Sequence, residues 1–188
     1  MNPATAPATA TATAPGPLAD VFKQVPFMQL LGVTREVSAD GYARMSMTVR
    51  PELTNLFDAA HGGVPVTLLD SAMASAAMSS VNFEAGVVTL NLNTSFLASG
   101  RGRLLVEGRR TGGGRSICYC EGTVRGEDGE VLARAIGSFK FKGVTPPEET
   151  AQVRDTLPAL SVPLGISPGT ETAPAAVKWW SSPADDPL

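Results

Sequence analysis

Hydrophobic and polar residues alternate through most of the central part of the chain, which is the pattern of half-buried β-strands. The alternation is clearest between residues 133 and 140, where Ala133, Ala135 and Phe139 interleave with Arg134 and Lys140. Gly- and Ser-containing turns separate the strand-like segments. Six such segments are predicted: 33–37, 42–49, 86–97, 103–111, 116–125 and 131–141.

Two segments have helical character instead. Residues 18–31 carry apolar positions at helical spacing, with Pro26 expected to break or kink the helix. Residues 64–80 predict a helix of small side chains, because eight of the ten residues in 71–80 are Ala or Ser. Such a helix allows close backbone approach from a curved sheet. Two strands, one long helix and four antiparallel strands predict an α+β fold with one sheet and one main helix.

The composition changes at both ends of this patterned region. In residues 1–17, 14 are Ala, Thr or Pro and none is charged. Residues 144–188 hold 8 of the 15 prolines and 6 acidic residues against 2 basic ones. We expect both segments to be disordered tails flanking a domain at 18–143. Trp179 and Trp180, the only tryptophans, suggest that the end of the second tail docks on the protein, and whether it caps the site or floats free stays open.

Composition also narrows the classes of function. The net charge of −3 argues against bulk electrostatic binding to nucleic acid or an anionic membrane. A single histidine excludes sites that need two histidine ligands, and no apolar run is long enough to span a membrane. Cys118 and Cys120 alternate on one predicted strand, so we expect core packing and no disulfide. These features predict a soluble, cytoplasmic protein without a metal.

The candidate chemistry surrounds the only histidine. His61 directly precedes Gly62 and Gly63, which open the predicted long helix. Free N–H groups at a helix N-terminus suit a carbonyl oxygen that becomes negative, and glycine lets a ligand approach that backbone. Asp70 follows in an apolar run, where a carboxylate is costly to bury without a partner or a task.

The spacing of these residues bears on assembly. Gly62 and Asp70 are eight residues apart, which is about 12 Å along a helix. A carboxylate does not easily reach a carbonyl held by the N-terminus of its own helix. If both groups serve one reaction, Asp70 must come from a second subunit whose helix runs antiparallel. The spacing therefore favours a two-fold dimer with two equivalent interface sites.

Asn55, the run His61-Gly62-Gly63 and Asp70 together form a motif that resembles one family. This motif and its spacing are similar to those of hotdog-fold acyl-CoA thioesterases of the PaaI-like (phenylacetic acid degradation) type, near the thioesterase superfamily member 2 group. The resemblance extends over roughly residues 25–143, including the strand 88–97. It implies a hotdog fold, an antiparallel sheet wrapped around one long helix. It also implies hydrolysis of acyl-CoA thioesters to free acid and coenzyme A. We expect an apolar pocket beside Asp70 to take an aromatic or medium-chain acyl group.

The resemblance further implies roles for individual residues. The Gly62 N–H would polarise the thioester carbonyl, and Asp70 of the facing subunit would act as general base or nucleophile. Asn55 and His61 would orient the carbonyl or the loop. Thr89 matches a position whose hydroxyl helps to hold the attacking water. A plain turn role for Asn55 and a plain strand role for Thr89 remain alternatives.

Substrate binding and assembly complete these expectations. Coenzyme A is expected as part of the substrate, with no other cofactor, and Gly63 and Arg115 are candidates to bind it. Arg115 belongs to a group of arginines that could hold phosphates, although solvated strand faces explain most of them. The group is Arg101, Arg103, Arg109, Arg110 and Arg115.

The family implies a homodimer and a homotetramer built from it. An acyl-CoA sensor without catalysis and an interaction protein acting through its tails are the alternatives.

Overall fold

The structure is a computed structural model that describes residues 16–143. Residues 1–15 and 144–188, which contain nearly all of both expected tails, lie outside the described residues, as do Trp179 and Trp180. Gly16 belongs to the segment expected as a tail, yet it is described, and its N–H donates to the Asn82 carbonyl at 2.8 Å.

The described residues form an α+β arrangement of short helical turns, two α-helices and six strands. The helical segments are 3₁₀ turns at Val21–Gln24 and Pro51–Leu53, α1 (Pro26–Leu31) and α2 (Gly63–Ser79). The strands are β1 (Thr34–Ala39), β2 (Tyr42–Thr48), β3 (Ala85–Phe96), β4 (Arg103–Gly113), β5 (Ile117–Gly126) and β6 (Val131–Gly143). Each strand overlaps a predicted one.

The first helical segment differs from its prediction. Pro26 does not interrupt a helix over 18–31, because it is the first residue of α1. Proline is tolerated there, since the first helical N–H has no partner within the helix. Gly32, with φ of 73°, ends α1 in the left-handed conformation that glycine adopts easily.

All six strands lie in one antiparallel sheet with the order β1-β2-β4-β5-β6-β3. β1 and β3 are therefore its edges. The alternation in the sequence corresponds to the two faces of β6. Ala133, Ala135 and Phe139 are buried on the face towards α2, whereas Arg134 and Lys140 are exposed. The helix lies across this inner face and packs on β2, β4 and β5.

The small residues of α2 allow the sheet to approach the helix backbone directly. A Cβ added at Gly108 in β4 would lie 2.5 Å from the Ala72 carbonyl group of α2, and one at Gly122 in β5 would lie 2.9 Å from Leu69 Cδ2. Glycines on the strands thus leave the space that the helix backbone and its side chains occupy. The close approach predicted from the Ala/Ser composition is confirmed.

Cys118 and Cys120 lie on the inner face of β5, with 0% and 2% of their surfaces exposed. Burial raises the pKa of the Cys118 thiol. Burial, with a smaller effect of the neighbouring Cys118, raises the pKa of Cys120 to about 12. The core role predicted for both cysteines is confirmed.

These thiols should be inert in the folded protein. The thiolate is the reactive form of cysteine, and raised pKa values together with burial keep both groups protonated and covered. We expect no rapid reaction of native protein with a chromogenic disulfide reagent at mildly alkaline pH. Both thiols should react after denaturation. A rapidly reacting thiol in the native state would contradict this placement.

Candidate active site

The first turn of α2 presents one available backbone donor. Gly62 precedes the helix with helical dihedral angles (φ −53°, ψ −26°). The Gly63 N–H donates to His61 Nδ1 at 3.1 Å, and the Val64 N–H donates to the His61 carbonyl at 2.8 Å. Pro65 has no N–H. Among residues 16–143, the Gly62 N–H has no hydrogen-bond acceptor, so it is the donor that the positive end of the helix dipole offers to a ligand.

His61 is exposed, and its side chain binds the backbone at the start of α2. Because its Nδ1 accepts a hydrogen bond, the neutral ring carries its proton on Nε2. A Cβ at Gly63 would lie 3.4 Å from that Nδ1. The histidine thus contacts the Gly63 backbone closely, which leaves the neighbouring Gly62 N–H as the free group.

Asn55 shapes the turn that leads into His61. Its Oδ1 accepts hydrogen bonds from the N–H groups of Phe57, at 2.9 Å, and Ala59, at 3.3 Å. Its backbone N–H donates to the Ala59 carbonyl at 2.7 Å. The structure therefore shows Asn55 in the turn role that the sequence left open. Asn55 also lines the cavity beside Gly62.

A cavity of about 180 Å³ with both polar and apolar walls opens beside Gly62. Asn55, Gly62 and Phe96 line it near the helix start, and its walls include Leu104 and Leu132. The Phe96 ring lies 3.6 Å from the place of a Cβ at Gly62. A backbone donor beside a cavity that is partly walled by leucines suits a carbonyl compound with an uncharged side group.

Asp70 and Thr89 form a second group. Thr89 in β3 donates its hydroxyl to Asp70 Oδ1 at 2.7 Å, and Asp70 is half-buried on α2. The pairing of β3 with β6 shifts register just after Thr89. Among the described residues Asp70 Oδ2 has no donor, so the carboxylate is oriented at one oxygen and available at the other.

Within one protomer these two groups are separated. Asp70 is eight residues beyond Gly62 on the same helix, which is about 12 Å along the axis. The structure brings His61, Gly62 and Asn55 together, and it brings Thr89 to Asp70.

Arg115 lies away from the helix start. It is in the connection between the inner strands β4 and β5, near the end of α2. Arg110, which lies on β4 before this connection, donates to Ser80 Oγ at 3.0 Å. Ser80 follows the last residue of the helix. Arg115 is therefore not at the Gly62 cavity of its own protomer.

Two further residues lie at the site: Phe96 was not assigned to it from the sequence, and Arg101 was considered only for phosphate binding. Phe96 ends β3 and covers the cavity beside Gly62. Arg101 donates to the carbonyls of Phe57 and Asp58 in the Asn55 turn. Phe96 belongs to the strand that carries the family resemblance, and this resemblance could have indicated its place at the site. No sequence pattern links Arg101 to a turn 43 residues earlier.

Comparison with known proteins identifies the family. The sequence profile of the thioesterase superfamily matches residues 57–133. A protein of Halobacterium salinarum named as a candidate esterase is 30% identical over an alignment of 124 residues, and the match covers 61% of this chain and 82% of that protein. The chain belongs to the thioesterase superfamily. The matched residues contain the helix start, Asp70 and Thr89.

Solved structures of similar proteins confirm the hotdog fold of this thioesterase-superfamily chain. A thioesterase family protein from Silicibacter pomeroyi is 26% identical, with a TM-score of 0.63 over 68% of this chain and 96% of that chain. The PaaI protein of the E. coli phenylacetic acid degradation operon has a TM-score of 0.62 over 66% of this chain and 90% of that chain. At 21% identity, the latter likeness shows the fold alone.

Membrane-spanning helices and metal-binding groups of side chains are both absent from the described residues. No helix within residues 16–143 is both long and apolar enough to cross a membrane. In the same range, His, Cys, Asp and Glu side chains do not come together in a group of three that could hold a metal ion.

Proposed function

We propose that the protein hydrolyses acyl-CoA thioesters to a free acid and coenzyme A. The observation that carries this proposal is the free Gly62 N–H at the start of α2, beside a cavity with apolar side chains in its walls. An acyl group in the cavity would present its carbonyl oxygen to this N–H. The N–H and the helix dipole would then stabilise the negative charge that develops on the oxygen during attack.

Asp70 supplies the second requirement, activation of the attacking group. As general base it takes a proton from water while the water oxygen bonds to the carbonyl carbon. The tetrahedral intermediate then collapses, the carbon–sulfur bond breaks, and the thiolate of coenzyme A leaves and takes up a proton. The alternative is direct attack by the carboxylate, which forms an anhydride that water hydrolyses. Thr89 orients the carboxylate in either case.

The proposed site needs two protomers, because Asp70 and Gly62 are too far apart in one. β3 supports this assembly: it is an edge strand of 12 residues, and Val88 and Leu90 on it are 44% and 52% exposed. A long apolar edge strand is a template for pairing with another strand. Antiparallel pairing of β3 with its copy would set the two α2 helices antiparallel and give two equivalent sites. Association of these dimers into tetramers and a cytoplasmic location belong to the same proposal.

The cavity suggests the size of the acyl group. An apolar cavity of about 150 Å³ is large enough to hold a benzene ring. The cavity beside Gly62 measures about 180 Å³ and includes Leu104, Val124 and Leu132 in its walls. These dimensions favour an aromatic or medium-length acyl group over a long chain.

The test is release of free thiol from a panel of thioesters: acetyl-, hexanoyl-, lauroyl-, benzoyl-, phenylacetyl- and hydroxyphenylacetyl-CoA. We expect kcat/KM to be highest for the hexanoyl and aromatic members. The protein's own thiols are buried and should not add to the signal. Binding of acyl-CoA without turnover of any member would instead support the sensor function.

Replacement of Thr89 tests the second half of the site. Thr89→Val keeps the shape of the side chain and removes the hydroxyl that donates to Asp70. A hydrogen bond to a charged group contributes about 1.5–3 kcal/mol, so we expect kcat to fall by about tenfold or more. Thr89→Ser keeps the hydroxyl and should retain most activity. Equal activity of the two variants, measured with the best thioester, would show that the hydroxyl has no role.

A further inference from the structure

Arg101 holds the Asn55 turn from outside the cavity. It lies in the connection between β3 and β4, and its guanidinium group reaches the turn across 43 residues of sequence. Nε donates to the Asp58 carbonyl at 3.0 Å, and Nη2 donates to the Phe57 carbonyl at 2.8 Å. Two bonds from one planar guanidinium fix the orientation of the bound groups as well as their distance.

The turn contains a residue with a positive φ. Asp58 has a φ of 54°, in the left-handed region that residues other than glycine rarely adopt, although Asp and Asn enter it more readily than most. Asn55 binds N–H groups of the turn, whereas Arg101 binds its carbonyls. The two side chains therefore hold the same turn through different backbone groups, and only Asn55 lines the cavity.

The same connection also holds the chain between the turn and the helix start. The Ala60 N–H donates to the Gly100 carbonyl at 2.8 Å, and the His61 N–H donates to the Leu53 carbonyl at 2.8 Å. Gly100 precedes Arg101, so the β3–β4 connection contacts this stretch with its backbone and its side chain. A shift of the turn would move Gly62, which follows His61 directly.

We propose that Arg101 is a positioning residue for thioester hydrolysis: it keeps the Asn55 turn and the Gly62 N–H in the orientation that receives the carbonyl. This inference rests on the proposed function. Arg101 was one of the arginines considered for phosphate binding, but its Nε and Nη2 already donate to carbonyls of the protein. The geometry therefore favours positioning over contact with coenzyme A.

The decisive comparison uses Arg101→Ala with two substrates that share an acyl group, acyl-CoA and the corresponding acyl-pantetheine, which has no phosphates. Small misplacements of reacting groups lower rates strongly, so we expect kcat to fall by about ten- to a hundredfold on both substrates, with little change in KM. Millimolar guanidinium chloride should restore part of the lost kcat. A loss confined to acyl-CoA, seen mainly in KM, would overturn the proposal and assign Arg101 to the phosphates.

Arg125→Ala is the matched control. The Arg125 guanidinium also donates to a backbone carbonyl, that of Gly129 at 3.1 Å, but in the β5–β6 hairpin. Loss of this bond should leave kcat on both substrates unchanged. If the two variants lose activity equally, or if Arg101→Ala loses none, Arg101 does not position the site.

Hydrogen exchange tests the positioning role of Arg101 independently of whether the protein hydrolyses thioesters. Backbone amides in residues 55–62 should exchange faster in full-length Arg101→Ala than in wild type or Arg125→Ala, at an unchanged melting temperature. Unchanged exchange would overturn the positioning role even in an active enzyme. An inactive wild type with faster exchange in the variant would instead refute the thioesterase proposal.

Discussion

Asp70→Asn should abolish most thioester hydrolysis without unfolding the protein. The change keeps the size of the side chain and still lets the Thr89 hydroxyl donate to its oxygen. It removes the base that accepts a proton from water, and such groups contribute about 10²–10⁴-fold to a rate. We therefore expect kcat to fall within this range for the best thioester of the panel, measured by thiol release.

The control for this variant is the same chemical change at a distant turn. Asp40 lies between β1 and β2 with a φ of 50°, a conformation that Asn adopts as readily as Asp. Asp40→Asn should keep wild-type activity and stability. Near-wild-type hydrolysis by Asp70→Asn, with its melting temperature unchanged, would remove Asp70 from the mechanism.

The fold was predictable because two local patterns are strong. Alternation along β6 separates Ala135 and Phe139, which contact the core, from Arg134, which faces solvent. The Ala/Ser composition of α2 anticipates the close contact between Ala72 and Gly108. The segment around Pro26 was harder, because the spacing of apolar residues does not distinguish a kinked helix from a 3₁₀ turn followed by a new helix.

The candidate site was predictable only where its residues are close in sequence. His61, Gly62 and Asp70 lie on one loop and one helix, so helix geometry alone gives their relations. The Thr89–Asp70 bond depends on where β3 passes the helix, which alternation does not determine. The Arg101 contacts depend on the path of a connection between strands, and the position of Arg115 near the end of α2 depends on strand order.

Gly62→Pro should remove the proposed oxyanion donor while preserving the helix. Proline fixes φ near −65°, and Gly62, which directly precedes the first helical residue, already has a φ of −53° and an N–H without an acceptor in the described residues. The substitution removes the backbone N–H. Loss of one oxyanion donor lowers kcat by about 10²–10³-fold, so hydrolysis by Gly62→Pro should fall by that factor at an unchanged melting temperature.

Gly62→Ala is the paired control, because it adds a Cβ and keeps the N–H. That Cβ would lie 3.6 Å from the Phe96 ring, an ordinary packing distance. We expect Gly62→Ala to retain most of the wild-type kcat, with any loss appearing in KM for the bulkier acyl groups. Equal loss in the alanine and proline variants would mean that space beside Phe96, and not the N–H, limits the reaction.

Mixing the two inactive variants tests whether the site is shared between protomers. In a heterodimer of Asp70→Asn with Gly62→Pro, one interface site lacks both groups, whereas the other combines an intact Gly62 with an intact Asp70 from the opposite chain. Random reassociation of equal amounts forms heterodimers in half of the cases, so about one quarter of wild-type activity should return. If both groups of a site came from one protomer, every site would lack one of them, and mixing would restore nothing. Recovered activity therefore requires the antiparallel helix pair that the distance between Gly62 and Asp70 implies.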